Sequence, residues 1–404
     1  MKYNFLAFSI PFFILLIYIE FAITKKKKLA GFELHSVISN LSVGILERLL
    51  DVYTGALFYF IYDLLQKNYG LFHIKATPLV WLALLICTDF VWYWYHRLAH
   101  EINLLWAVHI VHHQSEDFNF TVSARITVLQ AFLRGGFWCV LPLLGFPAPM
   151  ITVMLLIHGL YPFFTHTKLV GKLGMLEYLF VTPSHHRVHH ASNEQYLDRN
   201  YGDVLIIWDK LFGTYQSEEG EIEIVYGLTK PLNTYSFLWQ HFHYFIEIFV
   251  VVAKQKTIRG KLKTVFGKPE TLDPAARSEA ERIFHVKQST ESIHKPLNTY
   301  VKWQIGILLS ALFVFVLLEK NLSPIISTVF VLLSLLTLIN CGAIMERKKW
   351  VFNIEFARAF LTVSSLIYFT SLDGLIIATL LFVTILTTSY KYLENRYLNL
   401  IYRC

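Results

Sequence analysis

"PLVWLALLICTDFVWYWYHRLAH", residues 78–100, is an apolar stretch that runs straight into a histidine pair. Its apolar part, 78–95, approaches the roughly 20 residues a helix needs to cross a bilayer. His96 and His100 follow at i, i+4, so their rings share a helix face just where such a helix would leave the hydrocarbon. A run of this kind reads as a membrane span that delivers lone-pair donors to the interface.

The same donors recur downstream. "HIVHH" places His109, His112 and His113 at i, i+3, i+4, and "HRVHH" repeats that spacing with His186, His189 and His190. His185 adds an i, i+4 partner for His189, and His166 stands in "FFTHT" at the end of another apolar run. On the helical reading, the three rings of each H-x-x-H-H share one face. Imidazoles held so close repel when protonated, so the pattern suits neutral rings donating to metal. Eight or nine imidazoles exceed what one tetrahedral ion uses and suit two ions; zinc, copper, iron and nickel all accept such donors. His73, His158, His241, His243, His285 and His294 lack clustered neighbours and read as structural or solvated.

The 404 residues are 55% hydrophobic and only 16% charged, against roughly 25% charged in soluble domains. The predicted fold is all-α: a polytopic integral membrane protein with about nine transmembrane helices, near 4–23, 36–63, 78–95, 126–144, 147–165, 301–319, 324–343, 355–371 and 374–391. Glu47, Arg48 and Asp51 make the second the weakest. Basic clusters at Lys25–Lys28, at Lys254, Lys256, Arg259, Lys261 and Lys263, and at Arg347–Lys349 then fall on one side, which the positive-inside rule makes cytosolic. The histidine-rich segments, about 96–125 and 167–300, fall on that same side and form a cap. The net charge of +7 is explained by topology and gives no reason to invoke nucleic acid. Four scattered cysteines, Cys87, Cys139, Cys341 and Cys404, support neither a disulfide framework nor a thiolate site. The expected organisation is anchor spans over 1–77, a catalytic domain over 78–250, a cytosolic linker over 251–300 and a membrane bundle over 301–404.

H-x-x-x-H followed by two H-x-x-H-H motifs resembles the membrane fatty acid hydroxylase/sterol desaturase superfamily. "WYHRLAHEINLLWAVHIVHHQSEDFNFTVSAR", "HTKLVGKLGMLEYLFVTPSHHRVHH" and "NYGDVLIIWDKLFGTY" are similar to its alkylglycerol monooxygenase branch over about 80–216. The resemblance implies two iron ions held by His96, His100, His109, His112, His113, His186, His189 and His190, with His166 a ninth ligand and His185 a further candidate. It implies a pterin or catalytic role for Glu101, whose other reading is a helix-surface carboxylate. Asn200, Trp208 and Asp209 match family positions, and Asp209 is expected either to orient a ligand histidine or to serve as a cap. Gln114 departs from the family's usual serine.

The implied chemistry is O2-dependent hydroxylation of a membrane lipid next to an ether oxygen. Electrons would come from tetrahydrobiopterin or from a redox protein. A sterol desaturase or lipid hydroxylase with a separate electron carrier is the sibling reading, and a metal transporter is disfavoured because the ligands sit at helix ends rather than at the membrane midplane. The expected location is a bacterial inner membrane or the endoplasmic reticulum, with substrate entering from the bilayer between the third and fifth spans, past the aromatic run Phe90–His96.

Overall fold

A computed structural model describes residues 3–286, 295–370 and 373–402; His294 and Cys404 lie outside them. The described residues are helical, with two isolated bridges, Phe180–Leu205 and Ala191–Tyr226, and no strand.

Helix α1, Ser9–Lys26, is apolar but for the buried Glu20 until its basic last turn. α2, Leu34–Tyr69, is long and carries the charged interruption foreseen above. α3, Pro78–Glu101, starts where the Thr77 hydroxyl accepts the Val80 amide and proline occupies the first turn, a position that needs no N–H. It stops at Ile102, and α4, Asn103–His109, restarts the chain in a new direction. α5, Val128–Phe137, and α6, Val140–Leu144, precede α7, Ala148–Thr165. The cap contributes α8, Pro183–His189, and α9, Ile207–Phe212. After these come α10, Phe237–Lys254, α11, Ile258–Phe266, and α12, Ala276–Ile283. The stretch expected as a linker thus holds two helices. α13, Lys295–Leu318, α14, Pro324–Met345, α15, Val351–Thr370, α16, Asp373–Thr388, and α17, Tyr390–Tyr402, complete the chain.

Among the described residues, five helical segments are long and apolar enough to span a bilayer: Phe5–Lys26, Pro78–Glu101, Ala148–Thr165, Asn298–Asn321 and Pro324–Met345. The difference from nine has local causes. Charges dilute α2, and the apolar run 126–144 breaks between α5 and α6, ending in left-handed Gly145 (φ 106°). Glu355 and Arg358 interrupt α15, while α16 is 16 residues long.

The described chain divides into two compact units. One comprises residues 3–11, 233–239 and 295–402, and the other residues 12–232 and 240–286. All ten histidines expected as ligands lie in the second unit. There α2 packs against the 3-10 turn Phe120–Ala124, which follows the second histidine motif. Gly44 makes that approach possible: a Cβ there would lie 2.7 Å from the Ala124 carbonyl oxygen and 2.8 Å from its Cβ.

Glycine to alanine in a helix ordinarily stabilises by about 1 kcal/mol. At Gly44 the sign should reverse, because the obstacle is backbone and overpacking costs about 1–3 kcal/mol. Gly44→Ala is therefore expected to lower the melting temperature in detergent, and an unchanged or raised value would contradict this packing.

Candidate metal centre

Nine of the ten expected histidines come together, in two groups. His96, His100, His109, His113 and His189 form the first; His112, His166, His186 and His190 form the second. Within each, one ligand atom per residue lies within 4.8 Å of all the others. The three rings of an H-x-x-H-H motif do not share one face. In each motif the i, i+4 pair enters one group and the i+3 ring enters the other: His109 and His113 join the first with His112 in the second, while His186 and His190 join the second with His189 in the first. Successive helical residues point about 100° apart, which follows from 3.6 residues per turn, so neighbouring histidines are dealt to different groups.

Outward contacts orient five of the nine rings. His96 Nδ1 donates to the Tyr201 carbonyl (2.8 Å), His189 Nδ1 to the Arg199 carbonyl (2.9 Å) and His166 Nδ1 to the Pro162 carbonyl (2.6 Å). His109 Nδ1 faces Gln130 Oε1 at 3.4 Å, and His100 Nδ1 lies 3.4 Å from Asp198 Oδ1. A neutral imidazole with its proton on Nδ1 turns a bare lone pair inward on Nε2. Those lone pairs meet: His96–His109 Nε2 atoms are 2.9 Å apart, His109–His113 3.2 Å, His166–His186 2.9 Å, His166–His190 3.2 Å and His112–His166 3.3 Å. Neither atom of the His96–His109 pair has a proton to donate, so such approaches are repulsive unless a cation lies between. The spacings match nitrogens about 2.0–2.1 Å from a shared first-row ion. His100 Nε2 and His189 Nε2 are likewise buried without a protein partner. The residues fit metal, one ion per group.

Electrostatics agree with neutral ligands. Burial, reinforced by neighbouring imidazoles, holds His109, His112, His113, His186 and His190 well below the ordinary imidazole value. Burial alone takes His166 down to about 4, and burial with the nearby His100 takes His189 to about 3.

His185 stands outside both groups: it caps α8, its Nδ1 accepting the Thr182 amide. Glu101 accepts from Arg97 Nε at 2.8 Å, an i, i+4 pair at the rim, and belongs to neither group. Asp209 reaches no histidine. It accepts the Tyr201 and Gly202 amides and the Thr214 hydroxyl, and so positions His96 through the Tyr201 carbonyl. Asn200 ties the His185 carbonyl to Gln216 from a left-handed backbone (φ 54°), and Trp208 donates to Asp89. His158 and His243 are buried against Asp203 and Glu247. Gln114 binds Arg125, whose guanidinium also holds the Val111 carbonyl, Ser39, Asn40 and Gln240, bracing the second motif.

Sequence reasoning missed Gln130, Asp198, Arg187 and the carbonyl acceptors. Arg187 clasps Glu218 through Nε and Nη2 and the Thr167 and Val170 carbonyls through Nη1, seating α8. The left-handed Asp198 and Asn200 in "LDRNYG" were the available signal, because these residue types tolerate that backbone best.

Residues 81–214, which include every grouped histidine, match the fatty acid hydroxylase family. The chain is 37% identical over 262 residues to alkylglycerol monooxygenase of Homo sapiens, covering 64% of this chain but 58% of that protein, under two thirds of its length. It is 32% identical over 367 residues to alkylglycerol monooxygenase of Danio rerio, covering 87% of this chain and 80% of that protein. It is 30% identical over 146 residues to ornithine lipid hydroxylase of Rhizobium tropici, covering 36% of this chain and 44% of that one. No solved structure matches significantly.

Two outcomes are expected. With iron supplied, His113→Ala should remove the ion of the first group and His190→Ala that of the second, each variant retaining about one ion per chain by elemental analysis; retention of both ions would contradict the grouping. Metal-free protein should also lose stability in acid. These histidines bind protons in the unfolded chain near pH 6.5 but only far lower when folded. Stability therefore rises with pH through that window. It is complete above about pH 6.5 and is lost as pH falls toward 4, which melting curves taken across that range would test.

Proposed function

The chain belongs to the fatty acid hydroxylase family, and on that footing we propose that it is a membrane-bound, O2-dependent monooxygenase that hydroxylates the ether-bearing carbon of an alkylglycerol. The observation that carries this reading is the double convergence of neutral imidazole lone pairs at the ends of α3 and α7, the depth at which a lipid's headgroup-proximal carbon sits. The donor set accepts several first-row metals; the family favours iron. With two irons bound, the centre would supply O2 activation for a two-electron oxidation. Tetrahydropterin or a redox protein is the electron source in this proposal, and Glu101 the residue proposed to face a pterin. We place the histidine face on the cytosolic side, following the basic clusters.

The protein's own contribution is positional. Carbonyls at Pro162, Arg199 and Tyr201 hold Nδ1–H, so the inner nitrogens stay free for metal. Burial keeps the rings neutral and excludes water from the oxidant. Phe118 stacks on His166 with centroids 5.5 Å apart and gives the second group an apolar wall.

The chemistry balances. One O2, two electrons and two protons convert the C–H beside the ether oxygen to C–OH and release water. That oxygen stabilises the carbon radical, and the hemiacetal then collapses to a fatty aldehyde and glycerol. Acid–base hydrolysis would leave an alkyl ether untouched.

The test supplies iron-loaded, full-length protein in nanodiscs with a long-chain alkylglycerol, 18O2 and either tetrahydropterin or a reduced redox protein. Labelled fatty aldehyde is expected. Oxidation at mid-chain or at the terminal methyl would refute the depth argument. Turnover of an ornithine lipid alone would keep lipid hydroxylation and overturn the ether-lipid assignment.

A further inference from the structure

The basic run between α10 and α12 does more than mark a membrane side. α11 carries Ile258, Leu262 and Phe266 at i, i+4, i+8, on one face, and they are 72%, 50% and 58% exposed. Lys256, Arg259, Lys261 and Lys263 are exposed around them, and among the described residues none of the four is ion-paired. From 254 to 267 there is no acidic side chain.

One flank of the helix, beside the stripe, and its C-terminal end are docked. Val265 packs with Trp106 around the core of Ala107, Ile110 and Val111. Asn103 donates its side-chain amide to the Thr264 carbonyl and its backbone amide to the Gly267 carbonyl, at 2.9 and 2.8 Å. Asn103 lies two residues beyond Glu101, where the span Pro78–Glu101 ends. The helix is thereby tied to the level at which the chain leaves the bilayer. An apolar stripe fringed by cations at that depth matches an interfacial helix on an anionic leaflet.

We propose that α11 lies in the membrane interface, with Ile258, Leu262 and Phe266 in the acyl boundary and its Lys/Arg fringe selecting anionic lipid. Because α11 is tied to α4, which carries His109, this contact sets the height of the histidine centre against the lipid surface. Charge complementarity decides the occupant: a second copy of the chain would present the same cations to each other.

The test needs no turnover, so its outcome is independent of the proposed chemistry. Full-length protein, with native cysteines replaced and Leu262→Cys labelled by bimane, goes into nanodiscs containing dibrominated phosphatidylglycerol or phosphatidylcholine; a melting curve matching that of the unsubstituted protein checks folding. Quenching by brominated lipid is expected, stronger for phosphatidylglycerol. Each lysine or arginine near an anionic surface favours binding about fivefold, so combining Lys256→Gln, Arg259→Gln, Lys261→Gln and Lys263→Gln should abolish the preference. Equal quenching by both lipids in the unmodified fringe would overturn the anionic selection. Quenching by aqueous iodide alone would overturn the membrane contact. Shielding from both iodide and lipid would place protein on this face and overturn the proposal.

Discussion

Everything in the histidine-bearing unit answers to one constraint: nine buried imidazoles must turn unprotonated nitrogens toward one another. A buried polar atom without a partner costs about 1–3 kcal/mol, and facing lone pairs add repulsion to that cost. Five of the nine rings, His96, His100, His109, His166 and His189, are held from behind. The loop between α8 and α9 supplies the Arg199 and Tyr201 carbonyls, and the last turn of α7 supplies that of Pro162, where Nδ1–H groups can reach them. A cation between the inner nitrogens would remove that repulsion.

The dealing of rings explains why the motif is H-x-x-H-H rather than a simple i, i+4 pair. Adjacent histidines diverge by about 100°, so a consecutive pair cannot serve a single ion from one helix. It can serve two. His112 and His113, and His189 and His190, are split between the groups in this way. The two motifs contribute in opposite sense, one giving its i, i+4 pair to the first group and the other to the second. His96 and His100 then bring the first group to five, and His166 brings the second to four.

Much of this was legible in the sequence. Spacing singled out eight of the nine rings, and His166 entered through its place at the end of an apolar run and through the family resemblance. Three things were not legible. Treating i+3 and i+4 as one face hid the split. Apolar composition over 126–144 suggested a span, outweighing the Gly135–Gly136 pair that comes just before α5 stops at Phe137. Above all, the acceptors behind the rings are mostly backbone carbonyls, and a carbonyl has no residue identity to read. His185 shows the complementary error: it has the right spacing, yet the Thr182 amide takes its nitrogen for a helix cap.

The acidic residues near the centre supply the remaining step. Asp209 holds the Tyr201 and Gly202 amides, Asp89 holds those of Val204 and Leu205 together with the Trp208 indole, and Asp203 binds His158. Three carboxylates therefore clamp one loop, 201–205, whose first carbonyl orients His96. Acting through a neutral carbonyl rather than directly, they fix the tautomer without adding charge to the ligand sphere. Among the described residues both groups consist of histidine alone, so positive charge brought by metal is not offset within either group. Asp198, at 3.4 Å from His100 Nδ1, is the one carboxylate paired with a grouped ring there. A cation held by either group would therefore keep most of its charge unbalanced, while the three clamping carboxylates act on the rings only through the backbone that orients them.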